Sequence, residues 1–218
     1  MRVRRDQVVV AGVWILGLLV LTTTLKAGEE ATSAGPWEYS FSVDVCDVTG
    51  LDKSVWERAA REVDSIFERA EAMIDWAFGC ESAPIPTDDV ASARIYVMDW
   101  LPGFVLNRFR QEKKRDNLMG YVLTPSGDRP GPVIYVARRA VERHAADFRE
   151  ELIRIKLARA IGRVMAHELA HRFLQSGHAD EGILKERFGH RDLVAPNSSG
   201  LYFTPEQSLH LRSVMSDD

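Results

Sequence analysis

Cysteine is almost absent from this chain: Cys46 and Cys80 are the only two among 218 residues, so the covalent framework is limited to one disulfide at most. Positive charge is in deficit as well. Lys and Arg number 28 against 32 Asp and Glu, a net charge of −4, and such a chain lacks the electrostatic footprint of a nucleic-acid-binding protein. The basic cluster Arg108, Arg110, Lys113, Lys114 and Arg115 is a local exception, but Glu112 and Asp116 interrupt it and no aromatic ladder accompanies it. It reads as a solvated face. There is no internal repeat. The one long uncharged apolar run occupies residues 8–25.

That run follows Arg2, Arg4 and Arg5, and a basic stretch ahead of an apolar one reads as an export signal or a membrane anchor. It exceeds the roughly 7–15 residues of a usual signal core and approaches the lower limit of a spanning helix. Leu25-Lys26-Ala27 is a mediocre cleavage site, because a small residue is preferred at its first position, so cleavage and retention both stay open. In either case the positive flank places the remainder outside the cytoplasm, secreted, periplasmic or anchored. The expected organisation is a signal peptide or anchor over residues 1–27, a linker over 28–36 rich in Gly, Ala, Ser, Thr and Glu, and one domain over 37–218. Residues 1–27 hold four basic and one acidic side chain, so the exported part is net −7.

Within the domain, Trp37 to Val45 alternates large apolar with polar residues and is expected as a strand. Val55 to Ala70 is an amphipathic helix with Ala59, Val63, Ile66, Phe67 and Ala70 inward. Ala93 to Met98, Met119 to Leu123 and Pro132 to Ala137 supply short strands, with a turn over Thr124 to Gly131. Helices dominate from about Arg139 to Ser176, and a last one starts at Pro205 with Thr204 as its N-cap. Whether the cysteines meet depends on what separates them. One helix over residues 52–78 would hold its ends about 40 Å apart, too far for a disulfide. A helix ending near Arg69, followed by a strand from Ala72 to Phe78 parallel to the first, would bring Cys46 and Cys80 to the same ends of neighbouring strands. The second arrangement is favoured, and the disulfide itself stays open. Strand, helix, strands and then long helices make an α/β or α+β layer fold.

The chemistry concentrates in Ala166-His167-Glu168-Leu169-Ala170-His171-Arg172-Phe173, followed by Gly177-His178. On a helix, His167 and His171 stand one turn apart on one face, so two imidazoles can hold a single metal ion with Glu168 beside them as general base. A motif this short can arise by chance, and context decides. Leu157, Ile161 and Val164 form an apolar stripe leading onto His171, with His167 at its border, while Ala158, Met165, Leu169 and Phe173 form a second. A helix apolar on two sides is buried, and histidines there need partners. A catalytic zinc site has three protein ligands and an open position. Gly177 is suited to a left-handed C-terminal cap that turns the chain back, making His178 the first choice for the third ligand. Asp180, Glu181, Glu186 and His190 are the alternatives.

HELAHRFLQSGH resembles the zincin superfamily, and within it the metzincins, whose pattern is H-E-x-x-H-x-x-G-x-x-H. Leu174 stands at the family's glycine position, His178 comes one residue late, and residues 182–185 lack the methionine of the family's turn below the metal. The chain also looks like small exported bacterial proteins that share G-R-x-x-A-H-E and F-T-P-E-Q, matched here by Gly162 to Glu168 and Phe203 to Gln207. The zincin resemblance implies a twisted sheet of about five strands, mostly parallel, packed on a helix and on a buried active-site helix. It implies too that Met119 to Leu123 is an antiparallel edge strand above the cleft, able to pair with a peptide, and Gly120 there leaves room for close backbone approach.

The leading expectation is therefore an exported zinc metallopeptidase acting on peptide or protein substrates. Zn2+ would be held by His167, His171 and His178, with Glu168 as general base. Tyr202, His190 and Arg191 are candidates for stabilising the oxyanion. Two other readings compete: a noncatalytic exported domain that keeps the fold for binding or structure, and a zinc hydrolase of non-peptide amides such as cell-wall crosslinks. Retention of Glu168 argues against the first, because a structural zinc site has no use for a general base.

Overall fold

The computed structural model describes residues 40–80, 89, 91–109, 118–123, 131–146, 150–197 and 200–216. The expected signal or anchor, the linker, Trp37 to Tyr39, residues 110–117 of the basic cluster and 124–130 of the expected turn lie outside them. Among the described residues no helix is long and apolar enough to cross a membrane.

Alternation in the sequence becomes a one-sided strand in β1 (Ser40–Asp47), where Phe41, Val43 and Val45 are buried and Ser40 and Ser42 are exposed. Asp47 closes the turn that follows. Its carboxylate accepts from the N–H of Thr49 at 2.7 Å and of Leu51 at 2.8 Å, and from Trp56 Nε1 at 2.9 Å. Asp52 then caps α1 (Lys53–Phe67) by accepting from Ser54 N–H at 2.8 Å. The inward stripe of α1 is the expected one, but the α-helix stops at Phe67. A 3-10 turn over Glu68–Ala70 and a left-handed Glu71 (φ 61°) complete the reversal.

That early stop allows β2 (Met73–Phe78) to lie parallel to β1, with Ser40 opposite Met73 and Val45 opposite Phe78. Cys46 and Cys80 therefore end up at the same edge and are joined as a disulfide, Cα to Cα 4.6 Å. β3 (Ser92–Met98) pairs in parallel on the other side of β1, and after the short α2 (Gly103–Leu106) come β4 (Gly120–Val122) and β5 (Val133–Ala137). The sheet runs β2-β1-β3-β5-β4, with only β4 antiparallel, at the edge. It is an α/β fold with a five-stranded, mostly parallel sheet.

The expected helical stretch 139–176 is two helices, α3 (Arg138–Ala145) and α4 (Glu150–Leu174). Two shorter ones follow, α5 (His190–Val194) and α6 (Pro205–Ser216). Thr204 caps α6 as expected. Its Oγ1 accepts from Gln207 N–H at 3.3 Å and its own N–H donates to Gln207 Oε1 at 2.9 Å, a capping box. α4 is largely buried from Leu157 onward: Ala158, Ile161, Met165, Leu169, Ala170 and Phe173 are all at 0 % exposure. Phe173 stacks on Phe41 of β1 with ring centroids 3.8 Å apart.

Two neighbours on α4 set its depth. A Cβ on Gly162 would lie 2.5 Å from the carbonyl oxygen of Ala59, so the glycine lets α4 and α1 approach backbone to backbone. Arg163, 1 % exposed, donates to Glu62 on α1 at 2.8 Å and to the carbonyls of Asp192 and Ala195, also at 2.8 Å. One buried guanidinium thus ties α1, α4 and α5 together, and each of its contacts is charge-assisted or backbone-directed. These constraints place the following turn of α4, with His167, under the edge of the sheet.

Candidate metal centre

His167 and His171 project from one face of α4, and their Nε2 atoms lie 3.1 Å apart. Each ring is oriented from behind. His167 Nδ1 is 2.7 Å from the carbonyl oxygen of Ile183, and His171 Nδ1 is 2.7 Å from that of Ser176. A carbonyl only accepts, so both Nδ1 atoms carry the proton, and in the neutral rings both Nε2 atoms present lone pairs to each other. Burial disfavours the charged ring: the His167 pKa is pushed down to about 3, by desolvation and then by the neighbouring His171, against the hydrogen bond to Ile183. His171 is lowered too, first by burial and then by His178, with the Ser176 contact opposing. Two facing lone pairs at this distance repel unless a cation lies between them.

His178 completes the group. One ring nitrogen from each of His167, His171 and His178 falls within 4.8 Å of the others. Tetrahedral zinc at about 2.0–2.1 Å from imidazole nitrogens would hold them roughly 3.4 Å apart, so these side chains reach that arrangement with small movements. Three imidazoles are a donor set that suits zinc, and they border an open cleft. The residues present therefore fit zinc.

The turn that delivers His178 differs from the expectation at one position. Gly177 does not adopt the left-handed conformation; Gln175, with φ 47°, does. α4 ends at Leu174, and the reversal comes at the next residue, so that Ser176 already faces back with its carbonyl against His171. A glycine two residues later is too late to make that turn. Beyond His178 the chain folds tightly, with Ala179 N–H donating to Leu184 O and Ile183 N–H to Tyr202 O, each at 2.8 Å. Gly182 (φ 74°) has no space for a side chain, because a Cβ would lie 2.5 Å from Tyr202 O.

Glu168 points toward β4. It is 7 % exposed, and the Val122 backbone hydrogen-bonds to its carboxylate. Burial is the dominant influence and pushes its pKa up to about 8, with that hydrogen bond opposing. The carboxylate rests directly on Gly120: a Cβ there would come within 2.3 Å of Oε1 and 2.7 Å of Cγ. The room expected at Gly120 for a close backbone approach is taken up by a side chain, that of Glu168.

A cleft of about 950 Å³ opens over His167, Glu168 and His171. Leu118, Met119 and Tyr121 line it from the β4 side, and Lys185, Arg187 and Phe188 from the loop side. Of the alternative third ligands, Glu186 lines this cleft but stands outside the histidine cluster, and Asp180, Glu181 and His190 line neither. None of the expected oxyanion candidates lines it. Tyr202 is hydrogen-bonded to Glu181, His190 Nδ1 donates to the carbonyl of His144 at 2.8 Å, and Arg191 borders a separate depression beside Arg163. Nearness to the motif in sequence does not bring them to the cleft, because the chain folds tightly after His178. His144 of α3 does line the cleft, as does Phe188, whose ring packs against His167 with centroids 5.0 Å apart. Nothing in the local sequence marks either one, because each reaches the site only through tertiary packing.

No protein-family model matches the chain, and no curated protein does. Among solved structures it is similar to an archaemetzincin from Methanopyrus kandleri, at 12% identity over 81% of this chain and 96% of that one, with a TM-score of 0.46. It is also similar to a zinc-dependent peptidase from Methanocorpusculum labreanum strain Z, at 11% identity over 78% of this chain and 99% of that one, with a TM-score of 0.49.

Proposed function

We propose that this chain is a zinc-dependent peptidase, with His167, His171 and His178 holding the metal and Glu168 as the general base. One observation carries the reading: two histidines with their Nδ1 protons committed to carbonyls face each other through Nε2, with a third beside them and a buried glutamate next in sequence. Bound zinc supplies a Lewis acid that polarises the scissile carbonyl and acidifies water. Glu168 takes a proton from the attacking water as the C–O bond forms, and delivers it to the departing amine as the C–N bond breaks. Its dry seat against Gly120 makes it a stronger base than a solvated glutamate, while a cation among the histidines favours its carboxylate form. The edge strand β4, paired only with β5 among the described residues, is suited to bind an extended peptide along the cleft.

Metal stoichiometry tests this reading. Purified protein should hold about one zinc per chain. Glu168→Ala should keep the metal and lose hydrolysis of a broad peptide library, and His171→Ala should lose the metal. A wild-type protein that takes up no zinc after loading ends the proposal. We also propose that residues 1–27 direct export, the domain acting outside the cytoplasm, secreted or anchored through residues 8–25. Recovery of the chain only in the cytoplasm would refute that part.

A further inference from the structure

We propose that Phe188 is a positioning residue for the metal centre, holding His167 at the angle that aims Nε2 at the point shared with His171 and His178. This rests on the zinc reading above. The second side-chain torsion of histidine is broad, so the side chain itself does not select a ring angle. The hydrogen bond from Nδ1 to Ile183 O fixes one atom of the His167 ring and leaves it free to rock about that contact. Zinc ligands must hold their distances to about ±0.2 Å, and rocking moves the opposite nitrogen, Nε2, most. A second contact is needed, and Phe188 supplies it: its ring meets His167 edge-to-face, at 5.0 Å and 72°. Among the described residues, the aromatic rings that meet His171 are the two other imidazoles.

Phe188 is in turn held firmly. Asp192 Oδ2 accepts from Lys185 Nζ at 2.9 Å and from Gly189 N–H at 2.8 Å, clamping the loop on both sides of the phenylalanine. The ring is partly buried, packed against the main core, and one part of its surface lines the cleft. The loop over residues 178–189 thus carries a metal ligand, the carbonyl that sets the tautomer of His167, and the ring that sets its angle.

Chelator competition with full-length protein tests the inference. Loss of a group that orients a metal ligand typically weakens the metal by 10–100-fold. Phe188→Ala should weaken zinc about tenfold, and Phe188→Tyr, which keeps the ring, should restore nearly all of the affinity. The visible bands of the cobalt-loaded protein should shift in Phe188→Ala and not in Phe188→Tyr. If Phe188→Ala fails to fold, Phe188→Leu carries the same test, with a loss of about threefold expected. A folded variant whose metal-free melting temperature falls while its zinc affinity and cobalt spectrum match wild type would show a merely structural role and overturn the inference. Wild-type protein that binds no zinc would instead sink the zinc reading, and this inference with it.

Discussion

Gly120→Ala is the smallest change that separates the proposed general base, Glu168, from the proposed metal ligands. The added Cβ would lie 2.3 Å from Glu168 Oε1 and 2.7 Å from its Cδ and Cγ, and these are the three atoms nearest to it. Ordinary contact needs roughly 3.4 Å or more, so the carboxylate must retreat by about 1 Å. It cannot do so freely, because it is buried and hydrogen-bonded to the Val122 backbone. A displacement of about 1 Å in a catalytic group costs on the order of 10²-fold in rate, near 2.7 kcal/mol of barrier. The three histidines should keep their zinc, since the atoms nearest to the new methyl group all belong to Glu168. The assay is kcat/KM on a quenched fluorescent peptide, with zinc content measured on the same sample. In a Glu168→Ala background the methyl group should have no further effect, because the residue it displaces is gone. Wild-type kcat/KM in the Gly120→Ala variant would refute the argument that Glu168 must occupy this seat, and loss of zinc would show that the glycine serves the fold rather than the base.

Two other substitutions probe the scaffold. Gly162→Ala pushes a methyl group to 2.5 Å from the Ala59 carbonyl oxygen, a backbone atom that moves only if α1 and α4 separate. Overpacking of this kind should cost about 1–3 kcal/mol, read by chemical denaturation, with zinc affinity of the folded fraction unchanged. Asp47→Asn tests a pH dependence. Burial would raise the Asp47 pKa, but hydrogen bonds from Thr49, Trp56 and Leu51 outweigh it and hold the group below the usual carboxylate range. A carboxyl with a depressed folded pKa stabilises fully above its unfolded pKa and loses that contribution as pH falls through the folded one. The variant should therefore be less stable than wild type at pH 6, by about 1–3 kcal/mol, with the gap closing as pH drops below about 3.8. A gap that is constant across that range would remove the charge from the explanation.

The features that were legible in the sequence are those fixed by local geometry. Alternation over Phe41 to Val45 has only one meaning in a half-buried strand, and the one-turn spacing of His167 and His171 follows from helix geometry alone. Thr204 and Pro205 announce a helix start through the chemistry of a few neighbouring atoms. His178 was within reach because the chain has few residues in which to leave the helix end. The misplaced features share a different cause. The left-handed residue after α4 is Gln175, although Gly177 carries the better propensity, because the position of the turn is dictated by the Ser176 carbonyl that His171 requires. Tyr202, His190 and Arg191 follow the motif in sequence, yet none lines the cleft: the Tyr202 carbonyl accepts from Ile183, His190 donates to the His144 carbonyl, and Arg191 borders a separate depression. His144 and Phe188 enter from α3 and from the clamped loop, through contacts that no spacing rule anticipates. The split has a physical reading for the site itself. The proposed metal ligands and base lie close together in the chain, whereas the residues that touch them, Gly120, Ile183 and Phe188, are contributed across the fold, so on this proposal a substitution far from the motif in sequence disables it without touching a ligand.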